Sequence, residues 1–274
     1  MKYVFYRFLQ KFFQLLPQKA LLFSRQLLPK PIYGLCNGYW MEFDIDEDIQ
    51  RRMYLSRYEP SGTHWVTIIL KPGSVFLDVG ANVGYYTTLA ASLVGQNGHV
   101  LAFEPSLYAF KKLENVLKSN HIAQVDAFQC AVGDKEEWRD LHLPNQGHLH
   151  SPSLVPSDKS FTPVKVQVCR LDSHPSLQSV LAIDLMKIDA EGFEPNVIRG
   201  MLKYLKDGFV KYLMCEFNSG WLNPNGSSYE ELLGMIKDAG FIVYQETPQV
   251  TLVGNNGLVF QQQDILFKHI GVFS

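Results

Sequence analysis

The stretch that most limits what this chain can fold into runs from Val75 to Tyr86 and reads VFLDVGANVGYY. Val75, Phe76 and Leu77 form a β-branched and apolar run, as a strand buried on both faces requires. Asp78 ends that run, Gly80-Ala81-Asn82-Val83-Gly84 makes a small-residue turn, and Tyr85 to Val94 carries apolar residues at helical spacing. Strand, glycine turn and helix in this order open a doubly wound α/β domain, with the ligand at the turn. Gly80 and Gly84 let the backbone approach that ligand, and the free N–H groups of the helix start are expected to point toward it. A dinucleotide fingerprint would need glycines at 80, 82 and 85, but 82 is Asn and 85 is Tyr. The pattern is instead D-x-G-x-N-x-G. An acid ahead of the first glycine suits a ligand with a positive amino group better than one with a pyrophosphate.

The second half of the signal follows. His99 to Phe103 reads as the next strand, and Glu104 ends it 20 residues beyond Gly84. A carboxylate in that place can accept from both hydroxyls of a ribose diol. It can equally favour the N-terminus of the helix predicted over 105–117. The turn and the acid together point to an adenosine-bearing ligand, and the turn resembles motif I of the S-adenosylmethionine-dependent methyltransferases.

With 274 residues, the chain is expected to hold one large α/β domain with additions. A net charge of −2 gives no general attraction to nucleic acid. Cys36, Cys130, Cys169 and Cys215 lack C-x-x-C spacing and are expected to be buried reduced thiols, which favours a cytoplasmic setting. No run approaches the length of a membrane span, and Arg7 and Lys11 interrupt any signal-peptide core.

Residues 1–30 read as a basic amphipathic extension, 31–73 as a lead-in, and 74–274 as the ligand-binding domain, with 135–182 as an insertion on its substrate side. The extension has six basic residues and no acid. Its Phe5, Phe8, Leu9, Phe12 and Leu16 share one helix face, with Arg7, Gln10, Lys11 and Gln14 opposite. Such a helix either packs on the domain or a second subunit, or lies peripherally on an anionic inner membrane surface through Phe5–Leu16. A strand is predicted over 39–44 and helices over 49–58 and 62–70. Asp44, Asp46, Glu47 and Asp48 read as a solvated turn and helix start. Further strands are predicted over 125–130, 163–171, 183–188, 210–217, 241–244 and 265–270, with a turn at 254–257. His142, His148 and His150 invite a metal reading, but His148-x-His150 has no Cys or acid nearby, so no metal site is assigned.

The sequences 78–87 DVGANVGYYT, 102–106 AFEPS, 131–134 AVGD and 186–200 MKIDAEGFEPNVIRG resemble the FkbM-type methyltransferases. So do Arg57-Tyr58-Glu59-Pro60 and Met214-Cys215-Glu216-Phe217, which extends the resemblance over roughly residues 40–218. It implies a class I methyltransferase fold, a Rossmann-like, mostly parallel seven-stranded sheet whose last strand is antiparallel. It also implies S-adenosylmethionine as donor and O-methylation as the reaction. Carried onto this chain, Asp78, Gly80, Asn82 and Gly84 would hold the methionine end. Glu104 would hold the ribose, Ala131 and Val132 would border adenine, Asp189 would sit beside the sulfonium, and Tyr85, Pro105 and Ser106 would complete the cofactor-binding set.

Methyl transfer to a hydroxyl benefits from a base within hydrogen-bond reach. Asp189 and Glu191, at the exit of the fourth strand, are the catalytic candidates. Tyr58, Glu59, His148, His150 and Glu216 are the substrate-side candidates. Nitrogen methyltransferases of this class carry Asn/Asp-Pro-Pro-Tyr/Phe in that loop, and Asp189-Ala190-Glu191-Gly192 does not fit. The expected acceptor is therefore a hydroxyl of a sugar, glycan or small molecule, not nucleic acid. A metal-assisted transferase, a nicotinamide enzyme and a non-catalytic or membrane-docked binding module are the competing readings.

Overall fold

The described residues ahead of Val75, in about the first quarter of the chain, build a cap before the main sheet begins. Helix α1 (Lys2–Gln14) is followed by a hairpin of β1 (Ile32–Cys36) and β2 (Tyr39–Phe43), then α2 (Asp48–Tyr54) and α3 (Pro60–Ile69). The computed structural model describes residues 2–17, 30–144, 152–154, 161–253 and 259–271. The alternating core is β3 (Val75–Val79), α4 (Tyr85–Val94), β4 (His99–Phe103), α5 (Leu107–Ser119) and β5 (Val125–Phe128). After these come β6 (Ala131–Val132), β7 (Glu137–Pro144) and β8 (Phe161–Cys169). The chain then returns through β9 (Ile183–Ile188), α6 (Glu194–Gly200), α7 (Leu202–Lys206) and β10 (Val210–Asn218). It closes with α8 (Ser219–Leu222), α9 (Tyr229–Asp238), β11 (Phe241–Glu246), β12 (Val250–Val253) and β13 (Val259–His269).

The main sheet has the order β11-β13-β10-β9-β3-β4-β5, with β12 added as a further partner of β13. Strands β10, β9, β3, β4 and β5 pair in parallel, and β13 runs antiparallel between β10 and β11. This is the expected seven-stranded, mostly parallel sheet with an antiparallel last strand. Alternate residues feed two cores. Leu77, Leu101, Met186 and Leu213 lie on one side, and Phe76, Val100, Leu185 and Met214 on the other. The strand order reverses between β3 and β9, and that switch point is where a doubly wound sheet opens a crevice at its carboxyl ends.

Several expectations need correction. The helix expected to reach Tyr58 ends at Tyr54, because Ser56 takes a positive φ of 55°. The insertion holds a strand that the sequence did not announce. β7 pairs antiparallel with β8, which also takes β6 alongside in parallel, making a small three-stranded sheet. In β7 the apolar positions are too sparse among Glu137, Arg139 and Asp140 to show a strand period. The last strand starts at Val259 instead of Ile265, because Gln261 to Asp264 extend it with polar residues. His148 and His150, and the turn expected at 254–257, lie outside the described residues. The acidic run behaves as expected, with Glu47 capping α2 through the N–H groups of Ile49 and Gln50. All four cysteines are free and buried.

The largest difference concerns α1. It does pack on the body, but through Tyr6, Gln10 and Phe13, each less than a tenth exposed. Gln10, expected on the outer face, reaches the edge of β1. Its Nε2 donates to Leu35 O and Tyr54 O, both at 2.9 Å, and its Oε1 accepts from Leu35 N at 2.8 Å. Phe5, Phe8 and Phe12 face outward, while Leu9 and Leu16 are partly buried at the rim. A strand edge has unpaired peptide groups, and an amide side chain satisfies both kinds where an apolar one satisfies neither.

Candidate active site

Parallel strands β3 and β9 are neighbours, so their carboxyl ends bring residues 80 and 189 together across more than a hundred residues of chain. Asp189 N donates to Val79 O at 3.1 Å. Gly80 has a φ of +82°, and a Cβ there would lie 1.8 Å from Asp189 O. Only glycine lets these two backbones touch. Gly84, with a φ of +93°, starts α4 and faces Leu113 of α5, whose Cδ1 would stand 2.6 Å from an added Cβ.

The peptide N–H groups of residues 80–84, ahead of the helix start, are already engaged within the protein. Gly80 N and Ala81 N donate to Phe103 O, Asn82 N to Glu104 Oε2, Val83 N to Asn82 Oδ1, and Gly84 N to Ala81 O. A phosphate arriving here would find these donors already engaged. What the turn presents instead is an acid. Asp78 is fully buried; its Oδ2 accepts from Thr87 Oγ1 at 2.6 Å, and its Oδ1 has no partner. Burial raises its carboxyl above the usual range, and Lys187 and the Thr87 hydroxyl partly offset that. An orphaned buried carboxylate oxygen beside a glycine turn fits a cationic ligand group.

Glu104 links the turn to the next helix. Its Oε2 accepts from Asn82 N at 2.8 Å and its Oε1 from Ser106 N at 2.7 Å. Burial pushes its carboxyl up to about 7 despite those two donors. Each oxygen keeps a further lone pair, so the residue can both hold the turn and accept from a diol. Pro105 and the buried Ser106 lead directly into α5. Ala131 and Val132 are buried in β6, where they pair with Val168 and Cys169 of β8. Tyr85 begins α4, and its hydroxyl lies 2.8 Å from Thr63 Oγ1 and 3.4 Å from Tyr58 O. Its ring meets that of Tyr58 edge-on.

Next to the turn is a small recess lined by Glu59, Lys187, Ile188, Asp189, Met214, Glu216 and Asp264. Four of these are carboxylates and one is a cation. Lys187 is buried, its Nζ 2.8 Å from Asp189 Oδ2 and 5.0 Å from the Tyr86 ring centre. Burial alone would lower its ammonium, but Asp189, Asp78 and Glu59 outweigh that and hold it above the ordinary lysine range. Tyr86 OH donates to Glu59 Oε2 at 2.5 Å. Glu216 accepts from Gln262 Nε2 through Oε1, while its Oε2 is buried with no partner. Burial, then Asp189, drives the Glu216 carboxyl well above its ordinary value. Asp264 stands directly across the β10–β13 pairing from Glu216, and burial, with Glu59 and Asp189, pushes it up to about 7.

The sequence-named residues therefore separate into groups. Glu59, Asp189 and Glu216 meet in the recess. Glu191, at a positive φ of 49°, is not among its lining residues, and its carbonyl accepts from Ser153 Oγ of the insertion at 2.7 Å. Glu194 holds the same loop by accepting from Ala190 N and Gly192 N. Lys187, Asp264 and Gln262 were missed. Lys187 sits inside an apolar strand run, and Asp264 becomes visible only once the register of β13 is known. Among the described residues, no three His, Cys, Asp or Glu side chains are arranged to hold a metal ion.

Comparison with known proteins bears on this geometry. The chain is 30% identical over 162 residues to the 31-O-demethyl-FK506 methyltransferase FkbM of Streptomyces tacrolimicus, covering 48% of this chain and 61% of that one. It is 26% identical over 149 residues to the 2-O-methyltransferase NoeI of Sinorhizobium fredii, covering 49% and 60%. To an uncharacterized RNA methyltransferase of Bifidobacterium longum it is 24% identical over 177 residues, covering 60% and 39%. The chain thus spans less than two thirds of the length of these relatives. Residues 78–243, more than half of the chain, match the methyltransferase FkbM domain, from the orphaned acid of the glycine turn to the edge strand β11. With that match and a turn built for a cationic ligand, the chain belongs to the FkbM methyltransferase family and takes S-adenosylmethionine as its methyl donor.

Proposed function

We propose that this chain transfers the methyl group to a hydroxyl of a sugar, glycan or other small molecule. The observation that carries this reading is the recess beside the glycine turn, where four carboxylates meet a single, already paired lysine. Carboxylates accept hydrogen bonds from hydroxyls and repel phosphates and other anions. The names of two relatives describe O-methyl transfer, which supports the same reading.

S-adenosylmethionine supplies an electrophilic methyl group on its sulfonium. Asp78 Oδ1 and the turn from Gly80 to Gly84 would hold the end with the amino group, Glu104 would accept from the ribose, and Ala131 and Val132 would border the adenine. Asp189, tied to Lys187, fixes the wall next to the turn. Glu216 would take the proton of the acceptor hydroxyl on its unpartnered Oε2, and Asp264 and Glu59 would position the acceptor. Of the two bases named from the sequence, Asp189 thus orients and Glu191 shapes the loop.

The test is methyl transfer from labelled donor to a panel of hydroxylated acceptors, with and without Glu216→Gln. A base contributes on the order of 10²–10⁴-fold, so turnover should fall by that range while donor affinity, measured by calorimetry, holds. Because burial raises the Glu216 and Asp264 carboxyls above the ordinary carboxylate range, wild-type turnover should rise with pH as Glu216 ionises, and the variant should lose that rise. Equal activity in the variant would remove Glu216 from the role. Transfer to RNA but to no hydroxylated small molecule would favour the reading suggested by the Bifidobacterium relative.

A further inference from the structure

We propose that the outer face of α1 docks on an anionic lipid surface. Val4, Phe5, Phe8, Phe12 and Leu15 are all exposed, Phe8 at 73% and Leu15 at 85%. At 3.6 residues per turn, they fall within a stripe about 100° wide. A soluble surface rarely gathers large apolar side chains in one patch without a partner for it.

This stripe is not a core face waiting to be filled. The opposite side of α1 is already docked. Tyr6 OH donates to Pro31 O at 3.0 Å, Gln10 is bonded to Leu35 and Tyr54, and Phe13 joins the cluster of Ile32, Met41, Phe43 and Tyr54. The helix is held at a fixed rotation with its apolar stripe outward.

Charge decides among the occupants. Arg7 and Lys11 are exposed along one flank of the stripe, and residues 1–30 contain six basic side chains and no acid in a chain of net charge −2. A second copy meeting this face through its own α1 would bring Arg7 and Lys11 of both copies together, with no acid on either helix to pair them. An anionic headgroup layer matches both features at once, with phenylalanines entering the acyl boundary and basic side chains meeting the phosphates. The remainder of the chain carries the acidic excess, so repulsion from the same surface orients α1 toward it. No helix among the described residues is long and apolar enough to cross a membrane, so the contact is peripheral.

The helix is also coupled to the recess. Arg57 Nη2 donates to Gln14 O at 3.1 Å and Leu16 O at 2.9 Å, only two residues before Glu59. A surface that holds α1 therefore holds the segment that carries one wall of the recess.

The experiment uses the full chain, sedimented with vesicles of phosphatidylcholine alone or mixed with phosphatidylglycerol. It should pellet with the mixed vesicles, stay in solution with phosphatidylcholine alone, and be released as salt rises. Phe8→Glu with Phe12→Glu should abolish pelleting while leaving the thermal midpoint and the calorimetric affinity for S-adenosylmethionine unchanged. Arg7→Glu or Lys11→Glu should each weaken partitioning about five-fold or more. Three results would overturn the proposal: no pelleting of the wild-type chain with the mixed vesicles, pelleting of the double phenylalanine variant, or a dimer by light scattering that the double variant converts to monomer.

Discussion

Helices α1 and α5 have 13 residues each and equally marked apolar stripes, yet the fold uses them in opposite ways. In α5 the stripe of Ala109, Leu113, Val116 and Leu117 is buried, and Lys111 and Lys118 point to water. It lies between the sheet and the N-terminal cap, so Leu113 and Leu117 join the core beneath β4 while Ala109 and Val116 join that of the β1–β2 hairpin. In α1 the stripe is outside, and the buried face holds a glutamine. The difference comes from what each helix meets. The face presented to α5 is apolar on both flanks, whereas α1 meets the peptide edge of a two-stranded hairpin, where hydrogen bonds are needed more than area. Hydrophobic period identifies the residues that share a face. The chemistry of the neighbour determines which face it receives.

The contrast can be tested by substitution. Leu113→Ala should have the largest effect, about 2–5 kcal/mol of stability lost in denaturant unfolding, because it removes a fully buried side chain beside Gly84. A loss below about 1 kcal/mol would mean that α5 is not the core helix described. Gln10→Ala comes next. It leaves the Leu35 N–H and the Leu35 and Tyr54 carbonyls without this partner and should cost about 1–3 kcal/mol, more than removing any phenylalanine of the outer stripe. Phe8→Ser and Phe12→Ser should each change stability by no more than about 0.5 kcal/mol. A loss several times larger at Phe8 would show that its face is covered in solution and would erase the comparison with α5.

These same two helices show how far the sequence can be read. The parallel strands of the core were legible, most plainly β3 and β4, where burial on both faces leaves an apolar run that needs no knowledge of neighbours. Asp78, Gly80, Gly84 and Glu104 were legible for a related reason, since strand ends and tight turns constrain residue type locally. Asp264 was not, because its place follows from pairing with Glu216 across two antiparallel strands, and Gln261 to Gln263 give no apolar period to mark that pairing. Lys187 was hidden by its own strand, since nothing local says that Asp189, Asp78 and Glu59 will surround it. The rotation of α1 depends on a hydrogen-bonding demand at Leu35 that lies 25 residues away.

The contact between Gly80 and the Asp189 carbonyl has a consequence for how relatives of this fold can diverge. With no room for even a methyl group between them, the glycine turn and the inner wall of the recess are one fixed spacing, and neither can drift without the other. Glu59, Glu216 and Asp264 reach the same recess from a cap segment and two strands outside that contact. Substitution is therefore cheapest on those outer elements, while the turn and the Asp189 backbone are held to a single geometry.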